Sequence, residues 1–280
     1  MKKSVELGEL YKDLRIARGL KLKDIARDNL SLSQLSKFEN GQSMLSADKL
    51  LLAITGIHMS FAEFGHALNN YEVSNFFKLG QKIATLFSKQ DITGLKNLLI
   101  DYKDYEISEI YNQLNLIVIR SSIHSLEPTY AIDEKDKDLL STYLYSIEEW
   151  TEYELYLFTN TMPLLTDEDL IFLSKTFLER DKLYASIPTH QNSSKLTLLN
   201  LIGQMIDRKQ FYYVKYFSDI LEERINYLDM FLIVNLKFLL LLSEYLQGKS
   251  ENLEAMKKYI ETIQELGNPH LADLLQTYLQ

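Results

Sequence analysis

Residues 32–39 carry the side chains in this sequence that are best suited to hydrogen-bond nucleic-acid bases. Leu35 and Phe38 are spaced so that both face inward on one helix. The polar residues left facing outward are Ser33, Gln34, Ser36 and Lys37. Gln can bond adenine through two hydrogen bonds, Lys can reach guanine or phosphate, and Ser can bond either base or backbone. We predict that this segment is a base-reading helix that enters the major groove.

The segment just before it has the pattern that would position such a helix. Residues 21–27 form a short amphipathic helix, and a polar break follows at 28–31. Ser31 suits an N-cap, since its hydroxyl can accept a hydrogen bond from a backbone N–H two or three residues on. Asn40 and Gly41 give a left-handed signal for the end of the second helix. Together these signals predict a helix-turn-helix.

Positive charge is concentrated around this stretch. The whole chain has a formal net charge of −9, yet residues 12–37 hold seven basic residues against three acidic ones. Residues 71–280 hold twenty basic residues against thirty-one acidic ones. An electrostatic footprint for phosphate is local, so only the N-terminal end fits contact with double-stranded DNA. The residues predicted to contact mainly phosphate are Arg15, Arg18, Lys23 and Arg27.

Three further helical patterns complete an N-terminal bundle. One precedes the helix-turn-helix at 5–18, and two follow it at about 47–55 and 61–69. We therefore predict a five-helix DNA-binding domain over residues 1–68. A small module of this kind would need two copies to bind tightly at physiological salt, which favours a two-fold dimer on an inverted-repeat operator.

Several classes of protein are disfavoured by the sequence. The chain has no cysteine, and its five histidines are scattered without metal-ligand spacing. Catalytic and phosphate-loop motifs are absent, so we predict no enzyme activity, cofactor or metal site. The N-terminus lacks the apolar run of a signal peptide. Residues 230–242 form the most apolar segment, which is shorter than the ~20 residues that a membrane-spanning helix requires. We expect a cytoplasmic protein without membrane contact.

Residues 69–280 show helix after helix and are predicted to form an all-α repeat domain. The predicted helices span 73–89, 92–103, 106–125, 134–148, 150–162, 166–185, 193–206, 209–225, 228–246, 250–265 and 269–279. Segments 153–180, 196–224 and 231–266 each consist of an apolar helix, a short polar turn and an amphipathic helix. This spacing is typical of tetratricopeptide-like repeats. Such hairpins stack into a solenoid, whose concave surface suits extended peptides.

Isolated polar residues within the apolar helices are the candidate ligand contacts. They are Arg120, Asn160, Asn200 and Asn235. An Asn amide offers a donor and an acceptor side by side, which matches the N–H and C=O of an extended peptide backbone. Arg120 is predicted to pair with an acidic side chain or with the terminal carboxylate of the peptide. The alternative for each Asn is a structural hydrogen bond to a neighbouring helix or turn.

Two groups of segments carry a family resemblance. RIARGL (15–20), LKDIA (22–26) and SQLSKFENG (33–41) look like a Cro/repressor-type helix-turn-helix. With WTEYELYLF (150–158), the sequence resembles the Rgg family of Gram-positive peptide-responsive regulators. The resemblance implies a homodimer, a repeat domain and a short hydrophobic peptide ligand, as in quorum sensing. Some relatives link their subunits through a cysteine, and because this chain has none, its dimer would be non-covalent.

Two hypotheses follow from the sequence. The first is a transcriptional regulator whose repeat domain binds a peptide pheromone imported into the cytoplasm. Bound peptide would then change the relative placement of the two DNA-binding modules or their contact with RNA polymerase. The second is a helical-repeat interaction scaffold, whose N-terminal bundle mediates dimerisation or docking instead of DNA binding.

Overall fold

In a computed structural model, which describes residues 4–102 and 108–279, the regular elements are all helical. The α-helices of that part are α1 (Ser4–Ala17), α2 (Leu22–Ile25), α3 (Leu32–Glu39), α4 (Ala47–Gly56), α5 (Phe61–Leu68), α6 (Asn75–Ser88), α7 (Ile92–Ile100), α8 (Glu109–Leu126), α9 (Glu134–Ser146), α10 (Glu152–Thr161), α11 (Asp167–Arg180), α12 (Pro188–Asp207), α13 (Phe211–Arg224), α14 (Met230–Leu246), α15 (Asn252–Glu265) and α16 (Pro269–Gln276). Single turns of 3-10 helix occur at Met162–Leu164, Asp181–Leu183 and Thr277–Leu279. The all-α prediction is confirmed, while the predicted helix ends at 103 and 106 lie outside the described residues.

The chain forms two compact units, which divide between Lys82 and Ile83 within α6. The sequence instead places a domain boundary after residue 68, at the end of α5. Among the described residues, none of the helices combines the length and apolarity needed to cross a membrane.

The first unit is built around the helix-turn-helix formed by α2 and α3. Ser31 caps α3 as predicted: its hydroxyl accepts a hydrogen bond from the Gln34 backbone N–H at 3.2 Å. Leu30 in the connecting turn is completely buried and belongs to one hydrophobic core with residues from every helix of α1–α5. The buried members of that core are Tyr11, Ile25, Leu30, Leu35, Phe38, Ala53, Ile54, Ile57 and Phe64.

Helices α1 and α3 approach each other very closely at Gly8. A Cβ atom at this position would lie 1.9 Å from the carbonyl oxygen of Phe38. No side chain larger than hydrogen fits there without moving backbone. Near the same contact, the Tyr11 hydroxyl donates a hydrogen bond of 3.0 Å to the Ala53 carbonyl oxygen. Burial raises the pKa of Tyr11, with the nearby Glu39 carboxylate adding to the effect. This glycine and this tyrosine fix α1 against the rest of the unit.

The second unit is a layered helical repeat. Helices α8, α10, α12 and α14 follow one another in space, since α10 contacts both α8 and α12, and α12 contacts α14. Each is followed in the chain by the helix of a second layer: α9, α11, α13 or α15. Helix α13 packs on α12, α15 packs on α14, and α16 packs on α15. This alternation is the helical-repeat architecture that the apolar–polar–amphipathic pattern predicts.

The segment 150–158 is structural in this unit. Trp150 is completely buried and lies with its ring 5.2 Å from that of Phe158 and 5.9 Å from that of Phe177. Thr151 and Glu154 form a capping box at the start of α10. Such a box satisfies backbone donors that the first helical turn would otherwise leave open. The aromatic contacts therefore join α10 to α11, and the box fixes where α10 begins.

Helix α12 begins five residues earlier than predicted, at Pro188 instead of residue 193. Proline is tolerated at the first helical position, where its missing N–H would have no helical partner. His190 in the added turn is buried, and its Nε2 lies 2.6 Å from Oδ1 of Asp181. The extra turn of α12, whose composition is that of a loop, thus makes a buried polar contact that local sequence patterns do not contain.

Candidate functional site

The outward face of α3 is only partly free for an external ligand. Ser33 and Lys37 are exposed, whereas Gln34 and Ser36 are half-buried. Neither the Ser33 hydroxyl nor the Lys37 ammonium forms a hydrogen bond within the described part of the chain. These two residues therefore present unengaged polar groups on the helix that the sequence assigns to base reading.

Gln34 also has a local structural role at the start of α3. Its Oε1 accepts a hydrogen bond of 3.1 Å from the Ser31 backbone N–H, which completes a capping box at the start of α3. A two-point contact with adenine needs both Oε1 and Nε2. In this conformation only Nε2 is available, so the predicted contact requires the cap to open. The Ser31-x-x-Gln34 spacing was the signal that could have revealed this.

Three of the four predicted phosphate contacts are exposed cations near helix ends. Arg18 donates to the Leu14 carbonyl oxygen at 2.9 Å, and Arg27 donates to the Ala26 carbonyl oxygen at 2.8 Å. Lys23 is exposed on α2. A cation at a helix C-terminus is favourable for the helix as well. Their positive charges remain accessible to solvent and therefore to a phosphate group.

Arg15, the fourth, is a correction to the sequence analysis. Its Nε and Nη2 donate to the two carboxylate oxygens of Glu39 at 2.6 and 2.7 Å, and its Nη1 donates to the Leu20 carbonyl oxygen at 2.5 Å. The side chain of Arg15 is 9% exposed and that of Glu39 3%. The hydrogen bond to Glu39 is the main cause that raises the pKa of Arg15. This guanidinium joins α1 to α3 and is not available to bind phosphate.

The repeat unit contains a cavity of about 610 Å³. It lies along the row α8, α10, α12 and α14, with α16, the 3-10 turns Met162–Leu164 and Thr277–Leu279, and the C-terminal half of α6 completing the wall. Three of the four predicted ligand contacts meet here, namely Asn160, Asn200 and Asn235. A ligand pocket of a few hundred cubic ångströms that is mostly apolar with a few convergent polar groups is a typical binding site.

The three amides are not equivalent. Asn160 Nδ2 donates to the Tyr156 carbonyl oxygen, and Asn235 Nδ2 donates to the Phe231 carbonyl oxygen, both at 2.7 Å. Each of these bonds lies within one helix and leaves the amide oxygen open to accept. Asn200 is exposed, and within the described residues its amide has no hydrogen bond. Of the three asparagines, only Asn200 has an amide that makes no hydrogen bond to the described protein.

Arg120 is not part of the described cavity wall. Its Nη1 donates to Oδ2 of Asp136 at 2.7 Å, which links α8 to α9. The acidic side chain that the sequence analysis expected from a peptide is thus supplied by the protein itself. This pairing does not support the predicted contact between Arg120 and a peptide carboxylate, which stays a prediction.

One face of α12 supplies much of the cavity wall. Its lining residues are Leu196, Leu199, Asn200, Gly203, Gln204 and Asp207. Their spacing of three and four residues is that of a single helical stripe. A Cβ atom at Gly203 would meet nothing within 4 Å, so the missing side chain leaves open space at the centre of this stripe. The helical spacing from Asn200 was the signal that could have identified Gly203 and Asp207.

The sequence and the fold are similar to those of known proteins. Residues 95–277 match the family described as HTH-type transcriptional regulator Rgg, C-terminal domain. The structure is similar to the SHP pheromone receptor Rgg2 of Streptococcus dysgalactiae, at 21% identity and a TM-score of 0.77, over 97% of this chain and 98% of that one. It is also similar to a putative transcriptional regulator from Listeria monocytogenes, at 19% identity and a TM-score of 0.79, over 99% and 96% of the two chains.

A more distant similarity is to PrgX in its complex with iCF10, at 13% identity and a TM-score of 0.62, over 98% of this chain and 95% of that one. A helix-turn-helix unit followed by a helical repeat unit defines a class of transcriptional regulators. Because the family match spans well over half of the sequence, this chain belongs to the Rgg family. The family consists of transcriptional regulators and not of enzymes.

Proposed function

We propose that this protein is a sequence-specific DNA-binding regulator of transcription, controlled by a short hydrophobic signalling peptide. The first unit binds a promoter operator as one half of a homodimer. The peptide binds in the cavity of the repeat unit, in the cytoplasm. Bound peptide changes the placement of the two DNA-binding modules or their contact with RNA polymerase. The observation that carries the proposal is the meeting of three asparagine side chains in one largely apolar cavity.

The proposed DNA binding is supported by α3 and the residues around it. Ser33 and Lys37 have free polar groups on the exposed face of the second helix of a helix-turn-helix. Arg18, Lys23 and Arg27 add positive charge on the preceding elements. Phosphate contacts hold a protein on the duplex, while side chains in the groove read the bases. Gln34 can join the base contacts when its cap opens.

The proposed peptide binding is supported by the chemistry of the cavity wall. Its volume of about 610 Å³ lies within the range of small-ligand sites. Apolar residues such as Leu199, Phe231 and Leu239 supply most of the surface. The amide oxygens of Asn160 and Asn235 can accept hydrogen bonds from peptide N–H groups, and Asn200 can both donate and accept. This combination suits an apolar chain whose backbone still needs hydrogen-bond partners.

DNA binding is tested by selecting genomic fragments with the purified full-length protein and measuring affinity for the enriched fragments. Lys37→Ala should weaken binding or alter the preferred sequence. The matched control is Lys258→Ala, an exposed lysine on α15 of the repeat unit, which should bind like the parent. A protein that enriches no fragment at any salt concentration would contradict the proposed DNA binding. That result would favour the alternative, a helical-repeat interaction scaffold.

Peptide binding is tested by affinity selection from a synthetic mixture of apolar octapeptides. The parent protein should retain a subset of the mixture, as detected by mass spectrometry after size-exclusion chromatography. Asn200→Ala should retain much less, because an amide with both groups free is lost. If the parent retains no peptide, the ligand arm of the proposal is wrong.

A further inference from the structure

The cavity wall carries one formal charge. Among the described residues that line it, Asp207 is the single Asp, Glu, Lys or Arg. The other polar groups of the wall are neutral amides and hydroxyls, such as those of Asn200, Gln204 and Tyr278. A ligand that fills this cavity therefore meets apolar surface, hydrogen-bonding groups and a single carboxylate.

Asp207 has no protein partner in the described structure. Neither of its carboxylate oxygens takes part in a hydrogen bond or ion pair there. The neighbouring Arg208 is the obvious cation, but its guanidinium donates to the carbonyl oxygens of Leu165 and Met162, both at 2.9 Å, and to Asp167 at 2.8 Å. The lone charge of the cavity is thus left without a counter-charge in contact.

The position of Asp207 is also unfavourable for its own helix. It is the last residue of α12, where the carbonyl ends of the helix make a negative charge costly. The surrounding protein partly desolvates the Asp207 carboxylate and raises its pKa, although the residue as a whole is exposed, and only the charge of Arg208 opposes that effect. Across the cavity, the pKa of Tyr278 is raised by burial and further by the charge of Asp207. Because Asp207 is exposed, its carboxylate is reachable from the cavity, and a bound cation would offset its unfavourable position at the helix end.

We infer that Asp207 binds a cationic group of the peptide, either its N-terminal ammonium or the side chain of a lysine or arginine. The inference rests on the proposed binding of a peptide in this cavity. A cation there would replace the missing counter-charge through a charge-assisted hydrogen bond, which is stronger than a neutral one.

The spacing of Asn200 and Asp207 on α12 sets the distance between the two proposed contacts. Asn200 and Asp207 lie seven residues apart on the same face. Two helical turns separate them by about 10.5 Å. An extended peptide advances roughly 3.3 Å per residue. For a peptide that lies parallel to α12, the cationic group would be about three residues from the peptide unit held by Asn200, and the open space at Gly203 lies between the two contacts.

The test uses three matched mixtures of apolar octapeptides on the full-length protein. The first has free N-termini and no Lys or Arg, the second is the same mixture N-acetylated, and the third is N-acetylated with one Lys at varied positions. The parent should retain the first or the third about tenfold better than the second, as expected for one charge-assisted hydrogen bond. Preference for the first mixture identifies the N-terminal ammonium, and preference for the third identifies a side chain.

Three variants assign the preference to Asp207. Asp207→Asn should retain the three mixtures equally, and Asp207→Glu should keep the preference of the parent. Asp138→Asn removes an exposed acid of α9, away from the cavity, and should behave like the parent. Melting temperature checks folding, and Asp207→Asn should melt no lower than the parent because an uncompensated charge is removed.

The outcomes separate this inference from the proposed function. If the parent retains peptides with no preference among the mixtures, the cation site is wrong while peptide binding stands. If Asp207→Asn keeps the preference of the parent, Asp207 is not the acceptor and the inference is overturned. If the parent retains none of the three mixtures, the proposed peptide binding fails and the inference fails with it.

Discussion

Arg15 and Glu39 form a buried two-point ion pair that joins α1 to the last residue of α3. The Nε–Oε1 and Nη2–Oε2 distances are 2.6 and 2.7 Å, and both side chains are almost fully enclosed. A charge buried in this way is tolerated because its partner and hydrogen bonds compensate for lost water. Helix α3, for which we propose base contacts, is therefore held against α1 by an arginine whose guanidinium is already engaged within the protein.

Removing this arginine should unfold the DNA-binding unit more readily. We expect Arg15→Ala to lower the free energy of unfolding by roughly 3–5 kcal/mol, because Glu39 is left buried and unpaired. Chemical denaturation measures the effect. The double variant Arg15→Met, Glu39→Leu should recover much of the loss, since no unpaired charge remains. Arg18→Ala, at an exposed site on the same helix end, is the control and should unfold like the parent. An Arg15→Ala protein of unchanged stability with weaker DNA binding would restore a direct phosphate role.

The two roles of Gln34 can be separated by one substitution. Gln34→Glu keeps an acceptor at the position where the capping box requires one, but it removes the amide donor. We expect unchanged thermal stability together with weaker DNA binding and an altered preferred sequence. Denaturation and fragment selection measure the two effects independently. Should the selected sequences and affinity match those of the parent, Gln34 acts only as a helix cap.

The open space at Gly203 predicts a variant that blocks the cavity without harming the fold. Gly203→Leu directs a side chain toward the site while replacing a poor helix former, which favours the helix by about 0.5–1 kcal/mol. We expect a melting temperature equal to or above that of the parent and loss of octapeptide retention. Gly203→Ala, which adds a single methyl group, should lose less. Full retention by the Gly203→Leu protein would mean that peptides bind elsewhere.

The charge of Asp207 predicts how binding of a cationic peptide depends on pH. The pKa of Asp207 is raised by partial desolvation of its carboxylate, so protonation on acidification starts at a higher pH than for an ordinary aspartate. A neutral carboxyl cannot pair with an ammonium group, and affinity should therefore fall as pH falls through this pKa. Because the raised pKa means that protonation favours the folded protein, this group does not cause unfolding over the same range. Titrations of the parent and of Asp207→Asn at several pH values should show the fall only in the parent.

Much of the fold could be predicted from local sequence signals. The bounds of α3 follow from Ser31 before it and Asn40-Gly41 after it, and the structure has the predicted helix Leu32–Glu39. Backbone capping chemistry is local, so a short window of sequence contains it. The start of α12 could not be found in this way, because it depends on the contact between His190 and Asp181. A tertiary contact of this kind leaves no periodic pattern.

In the candidate sites too, some residues could be predicted from local sequence and others depend on tertiary contacts. Asn160, Asn200 and Asn235 could be identified as polar interruptions in apolar helices, and the structure brings all three to one cavity. Arg15 and Arg120 could not be assigned, because the carboxylates that engage them, Glu39 and Asp136, lie on other helices. Sequence shows which polar residue is unusual in its segment, but only the packing shows whether a partner already satisfies it.

A peptide in the repeat-unit cavity is proposed to control DNA binding. The decisive measurement is the affinity of the full-length protein for its selected DNA fragment while a retained octapeptide is titrated. The same titration on Gly203→Leu serves as the matched variant. We predict that the peptide changes the DNA affinity or the salt dependence of the parent and leaves the variant unaffected. A parent protein whose DNA binding is the same at every peptide concentration would contradict control through the DNA-binding modules, and a variant that responds like the parent would contradict control through this cavity.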